Sequence, residues 1–204
     1  MKKLLLTTLV VAGLGLSAQG AFADDSSAQH GTITINGKIV EVTCTINDGT
    51  PNISVTLPTI SKTAFTGIND TKGDTSFEIK LTGCSKKGDG AFSDSEKIYA
   101  AFVNDPGKVD GNGRLLNTYT ASGSDVAAKN VTVEIANNVK TNTDRIDISK
   151  QSTAQGSHAV KIDGTSPNGT AILQYKASYH AETEVNDITA GGVLAKVDYL
   201  IAYQ

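Results

Sequence analysis

Side chains able to do chemistry are few and scattered. The chain of 204 residues has three histidines, His30, His158 and His180, standing far apart in unlike settings. None shows the H-E-x-x-H or Cys/His spacing that a zinc ion needs, so each reads as a solvated or packing imidazole. There is no G-x-S-x-G elbow, no phosphate loop and no dinucleotide fingerprint. Residues 105–113 (DPGKVDGNG) are rich in oxygen ligands. They lack the D-x-D-x-D-G spacing and terminal Glu of a calcium loop and read as a turn. Paired carboxylates could in principle cleave a glycoside. With no Trp and only 5% aromatic residues, little could line a sugar cleft. The sequence therefore yields no catalytic residue, no metal ligand and no cofactor, and an enzyme is not expected.

The remaining reactive pair is Cys44 and Cys84, and its chemistry depends on compartment. Met1-Lys2-Lys3 is a basic n-region, residues 4–16 an apolar h-region, and Ala21-Phe22-Ala23 a small-x-small cleavage site. Residues 1–23 read as a signal peptide cut after Ala23. The h-region is too short to span a bilayer comfortably, and no other apolar run approaches that length. In an exported chain two cysteines predict one disulfide. Closing a loop of 40 residues should stabilise the fold by about 4 kcal/mol on the chain-entropy account. Cleavage leaves 181 residues, one domain's worth. Without Lys2 and Lys3 there are 16 basic side chains against 21 acidic, a formal charge of −5. No basic cluster is present, which argues against nucleic acid or an anionic membrane as partner.

The elements that must hold the cysteines are strands. Outside the signal no window carries a 3.6-residue apolar period. Period-2 alternation marks Ile53-Val55-Leu57, closed by Pro58, and Phe77-Ile79-Leu81, with Cys84 expected just past the strand end. Residues 97–104 (KIYAAFVN) form a nearly unbroken apolar run, as for a strand buried on both faces. Val131-Val133-Ile135 and Leu173-Tyr175-Ala177-Tyr179 alternate again. So does the last stretch, Val193, Ala195, Val197, Tyr199, Ile201 and Tyr203. Residues 141–157 are polar with only Ile146 and Ile148 as anchors, and read as a surface insertion. Short strands between Gly/Asn/Asp turns predict an all-β sandwich, with no repeat and no internal linker.

Residues 30–46 (HGTITINGKIVEVTCTI) change apolar parity partway. Ile33, Ile35 and Ile39 share one parity with Gly37, while Val40, Val42, Cys44 and Ile46 share the other. One reading is an arm serving a neighbouring molecule, followed by the first core strand. The other is a hairpin turning at Asn36-Gly37, the strongest short-range hairpin signal. The last strand, running to Gln204, is expected to leave an apolar edge that an internal strand or another chain must cover. An extended arm added to such an edge is a known mode of recognition, and head-to-tail addition produces filaments.

At these two ends the sequence resembles type 1-like fimbrial subunits of the chaperone–usher class. The residues that carry the resemblance are 32–40 (TITINGKIV), Cys44, the F-x-I-x-L strand of Phe77, Ile79 and Leu81 with Cys84 behind it, LPTIS at 57–61, YKASY at 175–179, the penultimate Tyr203, and Gly191 fourteenth from the end. The resemblance implies an incomplete immunoglobulin-like sandwich lacking its last strand and completed in trans. Residues 24–40 would be a donor-strand extension and 41–204 the pilin domain. Ile33, Ile35, Gly37 and Ile39 would face a neighbour's groove. Gly191, Val193, Ala195, Val197, Tyr199, Ile201 and Tyr203 would form the acceptor and chaperone-contact edge. The implied partners are identical or homologous subunits, a periplasmic chaperone, an outer-membrane usher and a host receptor reached through the tip. The implied destination is the cell-surface fimbrium, by way of the periplasm. Burying three isoleucines at about 1.5–3 kcal/mol each would give roughly 5–9 kcal/mol before backbone pairing. With the resemblance considered, Gly37 fits a close backbone approach better than a turn. A shaft subunit of an adhesive fimbria is the primary reading. A minor adaptor or tip subunit with its own receptor site and a self-complete secreted enzyme are the alternatives.

Overall fold

The computed structural model describes residues 33–35 and 39–204. The signal sequence and Gly37 lie outside them. Residues 33–35 and the body from Ile39 onward belong to separate units. In the first, Ile33 and Ile35 lie outside any regular element and are solvent-exposed.

The body has nine strands and, among the described residues, no α-helix. They are β1 (Thr43–Ile46), β2 (Thr71–Ser85), β3 (Gly90–Ala91), β4 (Lys97–Phe102), β5 (Val131–Asn137), β6 (Val160–Lys161), β7 (Thr165–Ser166), β8 (Gly169–Ala181) and β9 (Tyr199–Tyr203). One antiparallel sheet has the order β1-β2-β8-β5, and a second has the order β6-β4-β9. The pair β3-β7 forms a short ribbon.

Alternation decides which side chains meet. Phe77, Ile79 and Leu81 of β2 stand opposite Tyr175, Leu173 and Ala171 of β8. Ile79, Leu81, Leu173 and Tyr175 are almost wholly buried. From the facing sheet Ile98, Ala100 and Phe102 complete the layer, and Phe102 meets the Tyr175 ring edge-on at 5.5 Å between centroids. As its unbroken apolar run predicts, β4 is buried on both faces from Ile98 to Phe102.

The disulfide joins Cys44 of the edge strand β1 to Cys84 of its neighbour β2. Cys84 lies inside β2, not beyond its end as the sequence pattern suggested. A bulge at Gly83, which has φ +57°, lets the ladder resume with Cys84 opposite Gly169. An added Cβ on Gly169 would lie 3.0 Å from that of Cys84, so the crossing needs glycine.

Two other segments differ from their sequence reading. Residues 52–60 form no strand, and none has a backbone hydrogen bond among the described residues. Alternation supplies a face but not a ladder partner, and none adjoins this segment. Residues 141–157 do more than cover the surface, because Ile146 and Ile148 are fully buried in the main core. Asn137, also fully buried, organises the turn between them and β5. Its Nδ2 donates to the carbonyls of Asp144 and Gly156, and its Oδ1 accepts from the His158 N–H.

Candidate functional site

An apolar groove of about 790 Å³ opens along the body between two walls. Pro51, Ile53, Val55 and Leu57 line one wall, and Val193, Ala195, Val197 and Tyr199 the other. Phe77, Ile79, Phe102 and Ile135 form its floor. Each wall alternates half-buried and exposed residues, the period of an extended chain with one face turned inward.

The backbone of the second wall is directional. The Thr118 N–H donates to the Leu194 carbonyl at 2.8 Å, and the Leu194 N–H donates to Asn117 Oδ1 at 2.9 Å. Farther along, the Val103 N–H donates to the Asp198 carbonyl and the Gln204 N–H to that of Lys97, each at 2.8 Å. Leu194, Asp198 and Gln204 thus pair away from the groove. By strand alternation the N–H and C=O groups of Val193, Ala195 and Val197 turn toward it. Among the described residues these three have no backbone partner. The wall continues as β9, the edge strand of its sheet. A buried strand edge without partners is costly, and a groove one strand wide beside it is a site for another strand.

Charges hold this wall from outside. Lys108 Nζ donates to Asp198 Oδ2 at 2.6 Å and lies 3.3 Å from Asp105 Oδ2. The two carboxylates raise the Lys108 pKa, Asp198 most. Burial raises the phenol pKa of Tyr179, Tyr199 and Tyr203.

The expected acceptor positions divide. Val193, Ala195, Val197 and Tyr199 line the groove. Ile201 and Tyr203 continue the same face along β9, half-buried. Gly191 lies outside the groove lining, with its backbone against Val126, Ala127 and Ala128. Of the expected donor positions, Ile33, Ile35 and Ile39 are 88%, 90% and 100% exposed. Gly37 is outside the described residues. In the sequence Ile53, Val55 and Leu57 read only as an ordinary strand. Its alternation was the available signal, but nothing local shows that such a strand lacks a partner.

The histidines are elsewhere. The His158 backbone is bound to Asn137, and His180 is buried with Nδ1 at 3.0 Å from Glu182 Oε1. His180 projects from the face of β8 opposite Tyr179 and so away from the groove. His30 is outside the described residues. Among the described residues no cluster of His, Cys, Asp or Glu could hold a metal ion, and no helix is long and apolar enough to cross a membrane. In the turn at 105–113, Asp110 Oδ1 accepts the N–H groups of Asn112 and Arg114.

The FimA family model, described as type-1 fimbrial protein, A, matches residues 57–204. The F17 fimbrial protein of Escherichia coli is 31% identical over 193 residues, covering 94% of this chain and 96% of that protein. The major fimbrial subunit SMF-1 of Stenotrophomonas maltophilia is 33% identical over 180 residues, covering 87% of this chain and 95% of that one. In fold the chain is similar to a subunit of a solved chaperone–usher pilus. The TM-score is 0.50 and the identity 17%, over 87% of this chain and 97% of that one.

Proposed function

The chain belongs to the type-1 fimbrial protein family, and on that premise we propose that it is a shaft subunit polymerising head-to-tail by strand donation. It is a structural fimbrial subunit with an incomplete immunoglobulin-like sandwich, and its place is a pilus on the cell surface. The observation that carries the donation mechanism is the groove with Val193, Ala195 and Val197 unpaired along it. The complementary segment is the arm with Ile33, Ile35, Gly37 and Ile39 on one parity. Arm and groove are different surfaces of one chain, so each added copy leaves a free groove or a free arm. That contact is heterologous and extends into a filament.

Before assembly such a groove exposes an apolar edge, which calls for a periplasmic chaperone to cover it and an outer-membrane usher where one cover is exchanged for the next. Relatives named as major fimbrial subunits support the shaft role over the adaptor role. A host receptor would then be met by the tip and not by this subunit.

Two full-length variants test the reading. Ile33→Asp with Ile35→Asp removes the donor face, and Ala195→Lys blocks the groove. Each should fold and stay monomeric alone, while an equimolar mixture should give a one-to-one dimer that grows no further. Polymerisation of either variant alone, or a mixture that stays monomeric, would overturn strand donation.

A further inference from the structure

The groove is tied shut at one end. Tyr199 stands on one wall, and its Oη donates to the Pro51 carbonyl on the other at 2.6 Å, in an exposed position. The partners are 148 residues apart in sequence. Beyond the tie the Tyr203 hydroxyl comes near the Cys44 backbone. The chain runs 44 to 51 on one side while it runs 203 to 199 on the other, so the two walls are antiparallel. On the other side of the tie the walls are unbridged, with Ile53, Val55 and Leu57 along one and Val197, Ala195 and Val193 along the other.

The arm is one position too long for that stretch. Its one-parity set is Ile33, Ile35, Gly37 and Ile39, four inward positions over seven residues. The unbridged wall offers three, at 193, 195 and 197. A fourth inward position falls level with Tyr199, where a hydroxyl and a carbonyl already occupy each other across the slot.

We propose that the Tyr199–Pro51 hydrogen bond is a latch on the groove: three inward positions of an extended strand seat while it is closed, and the fourth seats only when it opens. This rests on the reading that the groove takes the arm. Opening exchanges one neutral hydrogen bond for bonds to water, so the latch slows full seating without preventing it. It also selects by length, because a segment with three inward positions never meets it.

The test uses the full chain, dilute enough to remain monomeric, with fluorescent peptides. One peptide copies residues 31–42. Two others keep three inward positions, residues 32–38 and residues 34–40. Uptake rates are compared for the wild type and Tyr199→Phe, which keeps the ring and removes the hydroxyl. The longer peptide should enter the variant roughly three- to tenfold faster, the worth of one hydrogen bond. At least one trimmed peptide should enter both proteins at the same rate, and which one does so identifies the end of the arm that meets the latch. Equal rates for the longer peptide would overturn the latch and leave the groove reading intact. Equal acceleration of all three peptides would overturn it as well. Uptake of no peptide by either protein would overturn both the latch and strand donation.

Discussion

The side-chain amide of Gln155 pairs with the backbone of Phe102 as a neighbouring strand would. The Phe102 N–H donates to Gln155 Oε1 at 3.0 Å, and Gln155 Nε2 donates to the Phe102 carbonyl at 2.7 Å. Two residues earlier the Ala100 N–H donates to the Tyr175 hydroxyl at 3.2 Å. Strand β6 covers only Lys97 and Ile98 of this edge of β4. Side chains satisfy the groups beyond it, so the β4 edge is closed and the β9 edge is the one left open. Gln155→Leu would orphan two buried backbone groups. The expected loss is about 2–6 kcal/mol in guanidinium unfolding, from a cost of about 1–3 kcal/mol for each unsatisfied buried group. A loss below about 0.5 kcal/mol would mean that water replaces the amide there.

Acid should loosen the loop before β4 through Glu96. Its Oε2 accepts the Ser93 N–H at 2.6 Å and a hydrogen bond from Lys86 Nζ at 2.9 Å. The Ser93 bond first, and Lys86 second, lower the Glu96 pKa from 4.5 to about 2. The folded value lies below the unfolded one. The stabilisation is therefore complete above the ordinary pKa and is lost as pH falls from 4.5 toward 2. Glu96→Gln should be less stable than the wild type by about 1 kcal/mol at neutral pH. The gap should close across that acid window. Urea midpoints measured through the window check this, and a gap independent of pH would refute it.

Much of this architecture could be read from alternation, because burial on one face leaves a period of two in the sequence. Phe77-Ile79-Leu81, Val131-Val133-Ile135 and Leu173-Tyr175-Ala177 all fall in paired strands. The inward parity of 193–203 was legible for the same reason. What alternation cannot carry is the presence of a partner. Ile53-Val55-Leu57 has the pattern of a strand and no ladder. Gln155 imitates a strand with one side chain and leaves no periodic trace. Tyr199 and Pro51 meet only because the walls fold together from distant parts of the chain.

The Cys44–Cys84 bridge joins the edge strand β1 to its neighbour β2. Replacing both cysteines by serine frees a loop of 40 residues in the unfolded chain. The expected cost is about 4 kcal/mol. That cost is global, and because β1 pairs with β2 alone, loss of the covalent tie should add local fraying of that strand to it. Hydrogen exchange at Thr45 and Ile46 should accelerate more than exchange at Leu173 in the sheet centre. Uniform acceleration across the sheet would show that the bridge supports the whole domain and not its edge.

Gly191 owes its identity to backbone crowding where the second wall begins. A Cβ there would overlap the Val126 carbonyl oxygen and come within 2.5 Å of Ala127 C and Ala128 N. These obstacles are main chain, so no side-chain rotation relieves them. The same stretch carries the parallel bridge of Ala127 with Gly192. The Gly192 N–H donates to the Val126 carbonyl at 2.7 Å, and the Ala128 N–H to the Gly192 carbonyl at 3.0 Å. Gly191→Ala should force these strands apart at a cost of about 1–3 kcal/mol, as overpacking does elsewhere. The Gly192 and Ala128 amides should then exchange faster. Asn117 would feel the shift, because its Nδ2 donates to the Ala128 and Gly192 carbonyls while its Oδ1 accepts from Leu194. The displacement should therefore reach the first groove residues, and uptake of the 31–42 peptide should slow although no groove side chain has changed. Normal uptake by a destabilised Gly191→Ala chain would separate this crossing from the groove and leave the glycine a purely local packing requirement.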